Sequence, residues 1–276
     1  MRLSIITINY NNLEGLKRTY DSVVCQTFND YEWIVIDGGS TDGSREFIEQ
    51  HQDKFAYWCS ELDKGIYNAM NKGTAKAKGE YLNFMNSGDT FLLDSILEEV
   101  FEQSYKEDIL YGDWMQVYNN HRKLITYPKE ANIWNLYCMT INQQAMFVRR
   151  TLLRKRGFDE SFRIQGDRHR WILASLDGCS FRHIGIAVSC YYMDGISQQG
   201  IRLPEEENKI DNLIPPPLLV GLKKLYVYEN AHYYIRLTEL IHRGGMAAFV
   251  TNVFLKIMHI LFTKRKNESL HYHPRL

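Results

Sequence analysis

Charge of one sign is missing from this sequence: the 33 basic and 33 acidic side chains of its 276 residues cancel. Nucleic-acid binders draw much of their affinity from Lys and Arg set against phosphates, so a dedicated nucleic-acid partner is not expected. Cysteine is scarce as well. The five residues, Cys25, Cys59, Cys138, Cys179 and Cys190, are odd in number, widely spaced and include no CxxC pair. A disulfide framework and a zinc-ligand spacing both lack support, and buried thiols in a reducing cytoplasm are expected instead. Long hydrophobic runs are absent too. The N-terminal apolar run, Leu3 to Ile8, is β-branched and too short for a signal peptide, so secretion is not expected. Ala247 to Phe262 is apolar except at Thr251, Asn252, Lys256 and His259, and is too short and interrupted to span a bilayer. There is no internal repeat and no low-complexity tract.

What is present is a core-forming composition, 45% hydrophobic and 24% charged, which implies a folded chain with one domain of about 200 residues and an appendage. Apolar runs alternate with helical periodicity. Leu3–Ile8 reads as a buried strand, Leu13 to Val24 as a helix, Trp33–Asp37 as a second strand, Ser44 to Gln52 as a helix and Phe55 to Cys59 as a short strand. Ile66, Ala69, Met70, Gly73 and Ala77 recur at helical intervals before the strand that follows Gly79. Strand, helix, strand at this spacing implies parallel βαβ units. Beyond them come a helix over Leu92 to Phe101, a strand at Asp108–Asp113, a hairpin between Met115 and Tyr127 turning at Asn119-Asn120, a strand at Ala145, a helix from Gly166 and a last strand over Ile184 to Tyr192. Glu205-Glu-Glu and Pro215-Pro-Pro mark a linker, because proline stiffens the chain. The domains expected are therefore residues 1–202, and a helical extension at 203–276. In that extension the Ala247–Phe262 segment, followed by Lys264-Arg-Lys, suits a helix lying on a lipid surface and equally a helix packed on the main domain.

Ligands of open α/β sheets bind beyond the carboxyl ends of the strands. Asp37 and Asp89 fall at strand ends and Asp167 in a helix's first turn, three carboxylates expected on one edge of one sheet. Asn86-Ser-Gly-Asp89 is also an ordinary turn composition. The stretches Ser4–Asn12, Glu32–Ser44, Asp63–Gly73 and Gly79–Asp89, with Gly157-Phe-Asp-Glu-Ser-Phe and Gly166-Asp167, resemble in order the inverting family 2 glycosyltransferases, over roughly residues 1 to 200. The resemblance implies the GT-A fold: an α/β Rossmann-like mixed sheet flanked by helices, here with a helical C-terminal extension.

The same resemblance assigns parts. Thr7, Asn9 and Tyr10 would line the nucleoside pocket, Asp37 would accept a hydrogen bond from the base, plausibly the uracil N3–H, and Lys64 would meet the diphosphate. Asn86 would belong to the donor site and Asp167 would be the catalytic base. Most relatives carry two aspartates flanking one residue, whereas those places here are Asn86 and Gly88, leaving Asp89 as the metal ligand for Mg²⁺ or Mn²⁺. The implied activity is transfer of a sugar from a nucleotide donor, UDP-sugar favoured, to a glycan or lipid-linked glycan hydroxyl in bacterial surface-polysaccharide synthesis. The implied location is cytoplasmic, peripheral on the inner face of the plasma membrane. Gln143, Gln144, Trp134 and Trp171 are weaker candidates for the acceptor side. A non-catalytic nucleotide-sugar or carbohydrate binder remains open because the metal motif is thinned. A sugar nucleotidylyltransferase is disfavoured, since the loop after the first strand has no glycine until Gly15.

Overall fold

The computed structural model describes residues 1–118, 121–193 and 203–223. The chain divides into two compact units, Met1–Ile210 and Asp211–Leu276. Of the second, residues 216–223 are helical.

In the first unit the described strands are β1 (Leu3–Asn9), β2 (Tyr31–Asp37), β3 (Tyr57–Ser60), β4 (Tyr81–Phe84), β5 (Thr90–Phe91), β6 (Ile109–Val117), β7 (Arg122–Ile125), β8 (Met146–Arg149) and β9 (Phe181–Tyr192). They form one mixed sheet in the order β3-β2-β1-β4-β8-β6-β9-β5, with β7 paired to β6. The first four are mutually parallel, β8 runs antiparallel to β4 and β6, and β9 runs parallel to β6. Runs such as Trp33-Ile-Val-Ile are buried throughout because helices cover both faces, the pattern of central parallel strands. The helices are α1 (Leu13–Val24), α2 (Ser44–Gln50), α3 (Ile66–Lys76), α4 (Ile96–Phe101), α5 (Ile133–Cys138), α6 (Arg150–Lys155), α7 (Gly166–Leu176) and α8 (Pro204–Asp211). This is the GT-A architecture expected from the sequence.

Register positions the site. Asn9 pairs with Asp37 and Asp37 with Ser60, so β1, β2 and β3 end level with one another. The chain beyond β4 is stitched to the end of β1, where Thr7 Oγ1 donates to Met85 O at 2.8 Å and Ser87 N to Ile8 O at 3.1 Å. Helix α3, which starts after β3 and so at this same edge, lies against β1 and β2. A Cβ added at Gly73 would stand 2.5 Å from Ile6 Cγ2, which is why that turn of the helix carries glycine.

Several expectations are corrected. The helix expected from Leu92 begins only at Ile96, because Thr90 and Phe91 pair with β9 and Leu92 N continues that ladder to Val188 O. The first unit runs to Ile210 rather than ending at 202, since Glu205-Glu-Glu belongs to α8 and buries Glu206 and Ile210. Pro204 is the first residue of that helix and Pro215 directly precedes the helical residues 216–223, so these prolines start helices, where a missing N–H costs nothing. The hairpin β6–β7 forms, with its Asn119-Asn120 tip outside the described residues. The Ala247–Phe262 segment also lies outside them, and among the described residues no helix is long and apolar enough to cross a membrane.

The entry to β4 gives a test of this packing. A Cβ at Gly79 would stand 2.5 Å from the backbone of Leu3 and Ser4, atoms that cannot yield without parting β1 from β4. Gly79→Ala should therefore destabilise by about 1–3 kcal/mol. In a thermal melt that is a fall in Tm of roughly 3–10 °C; an unchanged Tm would contradict this close approach.

Candidate active site

Asp37 sits at the end of β2 with no exposure. Its Oδ1 accepts from Asn9 Nδ2 at 2.8 Å and Ser40 Oγ at 2.5 Å, and its Oδ2 from Ser40 N at 2.9 Å and Ser60 Oγ at 2.6 Å. These bonds fill the roughly four acceptor positions of a carboxylate. Asp37, where a hydrogen bond from the base was expected, here ties together the ends of β1, β2 and β3. Thr7 is engaged in a similar way. It is fully buried, its hydroxyl donating to Met85 O and accepting from Trp33 Nε1 at 2.9 Å, so it supports the edge from beneath and does not line a pocket. Asn9 is buried as well, with Oδ1 lacking a partner.

Tyr10, in contrast, is 59% exposed. Its ring and the carboxylate of Asp63 flank Gly38, where an added Cβ would meet Asp63 Oδ2 at 2.7 Å and Tyr10 Cδ2 at 3.2 Å. Asp63 Oδ1 accepts from Gly65 N at 2.8 Å, which fixes the turn into α3. Asp63 is the residue that reasoning from sequence passed over in favour of its neighbour; the Asp-x-Gly spacing ahead of the helix was the available signal. Lys64 is exposed at that turn, near enough to Glu160 to help hold its carboxyl below the usual range, an effect led by hydrogen bonds from Asn71 and Asn68.

Beyond β4, Asp89 is nearly buried, and its carboxylate is held from two sides. Gln144 Nε2 donates to Oδ2 at 2.6 Å and the Tyr192 amide to Oδ1 at 3.0 Å. Gln144 is therefore a support for Asp89 rather than an acceptor-side surface. Asn86 Oδ1 is buried with no hydrogen-bond partner. Gly88 has φ +108°, and its N–H donates to Gly15 O at 3.1 Å and Thr19 Oγ1 at 3.0 Å. A side chain is strained in that conformation, so an aspartate at this place would require a different backbone. Among the described residues no cluster of three or more His, Cys, Asp or Glu side chains is placed to hold a metal.

Asp167 lies in the first turn of α7, half-buried. Burial pushes its pKa from 3.8 to about 6, against the lowering effect of the Arg168 amide and the Tyr67 hydroxyl. Tyr67, from the first turn of α3, donates to Ile164 O and lies 3.3 Å from Asp167 Oδ1. Its ring fills the space where a Gly166 Cβ would stand, at 2.7 Å. The same helix holds the preceding segment: Asn71 Nδ2 donates to Phe158 O and Asn71 Oδ1 accepts from Phe158 N, both at 2.9 Å, while Asn68 and Asn71 donate to Glu160 at 2.8 and 2.9 Å. One face of α3 thus carries the Asp167 segment, and the turn that leads into the helix carries Asp63. Trp171 is 1% exposed, edge-on to Phe158, and belongs to the core; Trp134 is half-buried on α5.

Residues 4–167 match the family model for glycosyl transferase family 2. The chain belongs to that family. An uncharacterized glycosyltransferase, Rv1514c of Mycobacterium tuberculosis, is 44% identical over 101 residues, which are 36% of this chain and 38% of that protein; the match thus spans well under half of the relative's length. A crystal structure of S. aureus TarS 1-349 with UDP-GlcNAc superposes with a TM-score of 0.65 at 21% identity, over 77% of this chain and 65% of that one. The mannosyltransferase PcManGT of Pyrobaculum calidifontis, solved with GDP-Man and Mn2+, gives 0.56 at 14% identity, over 93% and 80%. At these identities the two structures show a shared fold.

In this family 2 chain the raised Asp167 pKa carries a stability consequence. The folded state favours the protonated form, so the penalty is absent below the unfolded value of 3.8, grows between there and about 6, and is complete above it. The shift corresponds to about 3 kcal/mol. Asp167→Asn should therefore raise Tm by several degrees at pH 7.5 and by clearly less at pH 5, measured by calorimetry; an equal gain at both values would remove this account.

Proposed function

We propose that this chain is an inverting glycosyltransferase that moves a sugar from a nucleoside diphosphate donor, a UDP-sugar favoured, to a hydroxyl of a glycan acceptor. The observation that carries the reading is Asp167: a carboxylate of raised proton affinity, held by Tyr67 to the helix whose leading turn bears Asp63 and Lys64. Tyr10 and Asp63 face the nucleoside from either side of Gly38, with Asn9 and Asp37 bracing the strand ends beneath. Lys64 meets the diphosphate with a mobile point charge.

The acceptor oxygen attacks the anomeric carbon while Asp167 takes its proton. A carbon–oxygen bond forms to the acceptor, the bond to the phosphate oxygen breaks, and the nucleoside diphosphate leaves with the electron pair, so configuration inverts. A base must be ionised to act, so turnover should rise with pH through about 6, where Asp167 loses its proton; Tyr67, Arg168 and the α7 amides are the groups that set this value. Asp89, its carboxylate oriented by Gln144, and Asn86, whose Oδ1 lacks a partner, offer hard oxygen donors that suit Mg²⁺ or Mn²⁺ shared with a diphosphate and water. Such an ion would stabilise the charge that develops on the departing diphosphate. The five cysteines are free thiols, which suits the reducing cytoplasm, and a lipid-linked acceptor at the inner face of the plasma membrane suits the basic and apolar C-terminal sequence. Bacterial surface-polysaccharide assembly is the setting that resemblance favours.

A panel of sugar nucleotides assayed for release of free nucleotide tests the reading. Asp167→Asn should retain UDP binding and lose at least about 100-fold in turnover; an active Asn variant would remove Asp167 from the mechanism. EDTA should abolish most turnover and Mg²⁺ or Mn²⁺ restore it, whereas full activity in chelator would remove the metal role of Asp89.

A further inference from the structure

Helix α8 carries a buried carboxylate, Glu206, that forms no ion pair among the described residues. Glu206 is 2% exposed, and its two oxygens receive the backbone amides of three consecutive residues. Oε1 accepts from Arg163 N and, at 3.3 Å, from Ile164 N; Oε2 accepts from Ile164 N at 3.3 Å and Gln165 N at 2.8 Å. Consecutive amides aimed at one point form an anion-binding concavity, and an ionised carboxylate is the partner that satisfies it. The three residues lead directly into Gly166-Asp167. Gln165, the N-cap residue of α7, makes no side-chain cap of its own, and its amide is held by Glu206 from another helix.

The remainder of α8 grips the same turn. Glu207 accepts from Gln165 Nε2 and Arg168, each at 3.1 Å, and Lys209 Nζ donates to Ser161 Oγ at 2.9 Å and lies 4.9 Å from the Phe162 ring. The Ile164 backbone is held on both sides, its N–H by Glu206 and its C=O by the Tyr67 hydroxyl of α3.

We propose that Glu206 is a positioning residue for the base: by gathering the amides of Arg163, Ile164 and Gln165 it sets the turn that presents Asp167, which makes α8 part of the catalytic apparatus. The inference rests on the reading of Asp167 as base. A turn freed on one side lets Asp167 drift and hydrate, and misplacement by about 1 Å costs on the order of 100-fold in rate. Glutamine at 206 keeps the volume but sets an NH₂ group against backbone N–H donors. The groups that act on Asp167 are Tyr67 from α3 and Arg168 from α7, and burial is what raises its titration, so hydration of Asp167 in a loosened turn moves that titration to lower pH.

The test uses the full chain with Glu206→Gln, Glu206→Ala and, as a control, the exposed Glu205→Gln. Expected for Glu206→Gln are a UDP affinity and donor KM within about twofold of the parent, a kcat lowered at least about tenfold, and an acid limb of the kcat profile displaced to lower pH. Glu205→Gln should match the parent. Glu206→Ala should recover part of its kcat with added formate and none with chloride, a readout that survives if Glu206→Gln folds poorly. Parent-like kcat with an unmoved acid limb, or an absence of formate rescue, would overturn the proposal. Failure of this proposal alone would appear as an inactive Asp167→Asn beside a fully active Glu206→Gln; an active Asp167→Asn overturns the base and its positioning together.

Discussion

One buried carboxylate sets the geometry on which the rest depends. Asp37 receives hydrogen bonds from Asn9 at the end of β1, Ser60 at the end of β3, and Ser40 in the loop between. Three parallel strands are thus fastened at one level, and the loops that leave them are laced to one another. Asn11 N donates to Ser40 Oγ at 2.7 Å, Thr41 N to Asn11 Oδ1 at 2.9 Å and Leu13 N to Asp42 Oδ2 at 2.8 Å. A buried charge is tolerated only where its hydrogen bonds are complete. Asp37 meets that condition, which is why a residue read from sequence as a ligand contact serves as the fastening of the edge that holds Tyr10 and Asp63 apart at Gly38.

The order of elements was legible because the signals were local. Runs such as Trp33-Ile-Val-Ile are unambiguous strands, and the apolar spacing of Ile66 to Ala77 is unambiguous helix. Motif order singled out Asp89 and Asp167 as candidates. What sequence left hidden was which atoms of a motif face outward. Thr7 stands in the same stretch as Tyr10, yet Thr7 is engaged by Met85 and Trp33, and Asp37 by Asn9, Ser40 and Ser60, partners 3 to 78 residues away, whereas Tyr10 is exposed and flanks Gly38 with Asp63. Glu206 was hidden for the same reason. An acidic run beside proline reads as linker until the amides it serves, some forty positions earlier, are folded against it.

Gly88 and Asp167 mark two places where local preference yields to the site. At Gly88 the backbone adopts φ +108° with its amide donating to Gly15 and Thr19, a conformation in which any side chain, an aspartate's included, is strained. At Asp167 a carboxylate is kept in surroundings that disfavour its charge. Destabilised groups of this kind persist where neighbours over-determine the backbone, and here Tyr67, Asn71 and Glu206 do so.

Helix α3 explains how the two ends of such a site remain in register. Its N-terminal turn is set by Asp63 and follows β3, so it moves with the strand ends that Asp37 fastens. Its side chains at 67, 68 and 71 hold the segment that ends in Asp167. Gly73 lets the same helix lie against Ile6 of β1 with no intervening side chain, which leaves little freedom to slide. Any displacement of α3 along the sheet would shift Asp63 and Asp167 together, preserving their separation while changing both relative to Asp89, which is anchored instead to Gln144 and β9. The separation between Asp63 and Asp167 is therefore fixed by one rigid element, and the placement of Asp89 by another, so that the packing of α3 on β1 governs how the two meet.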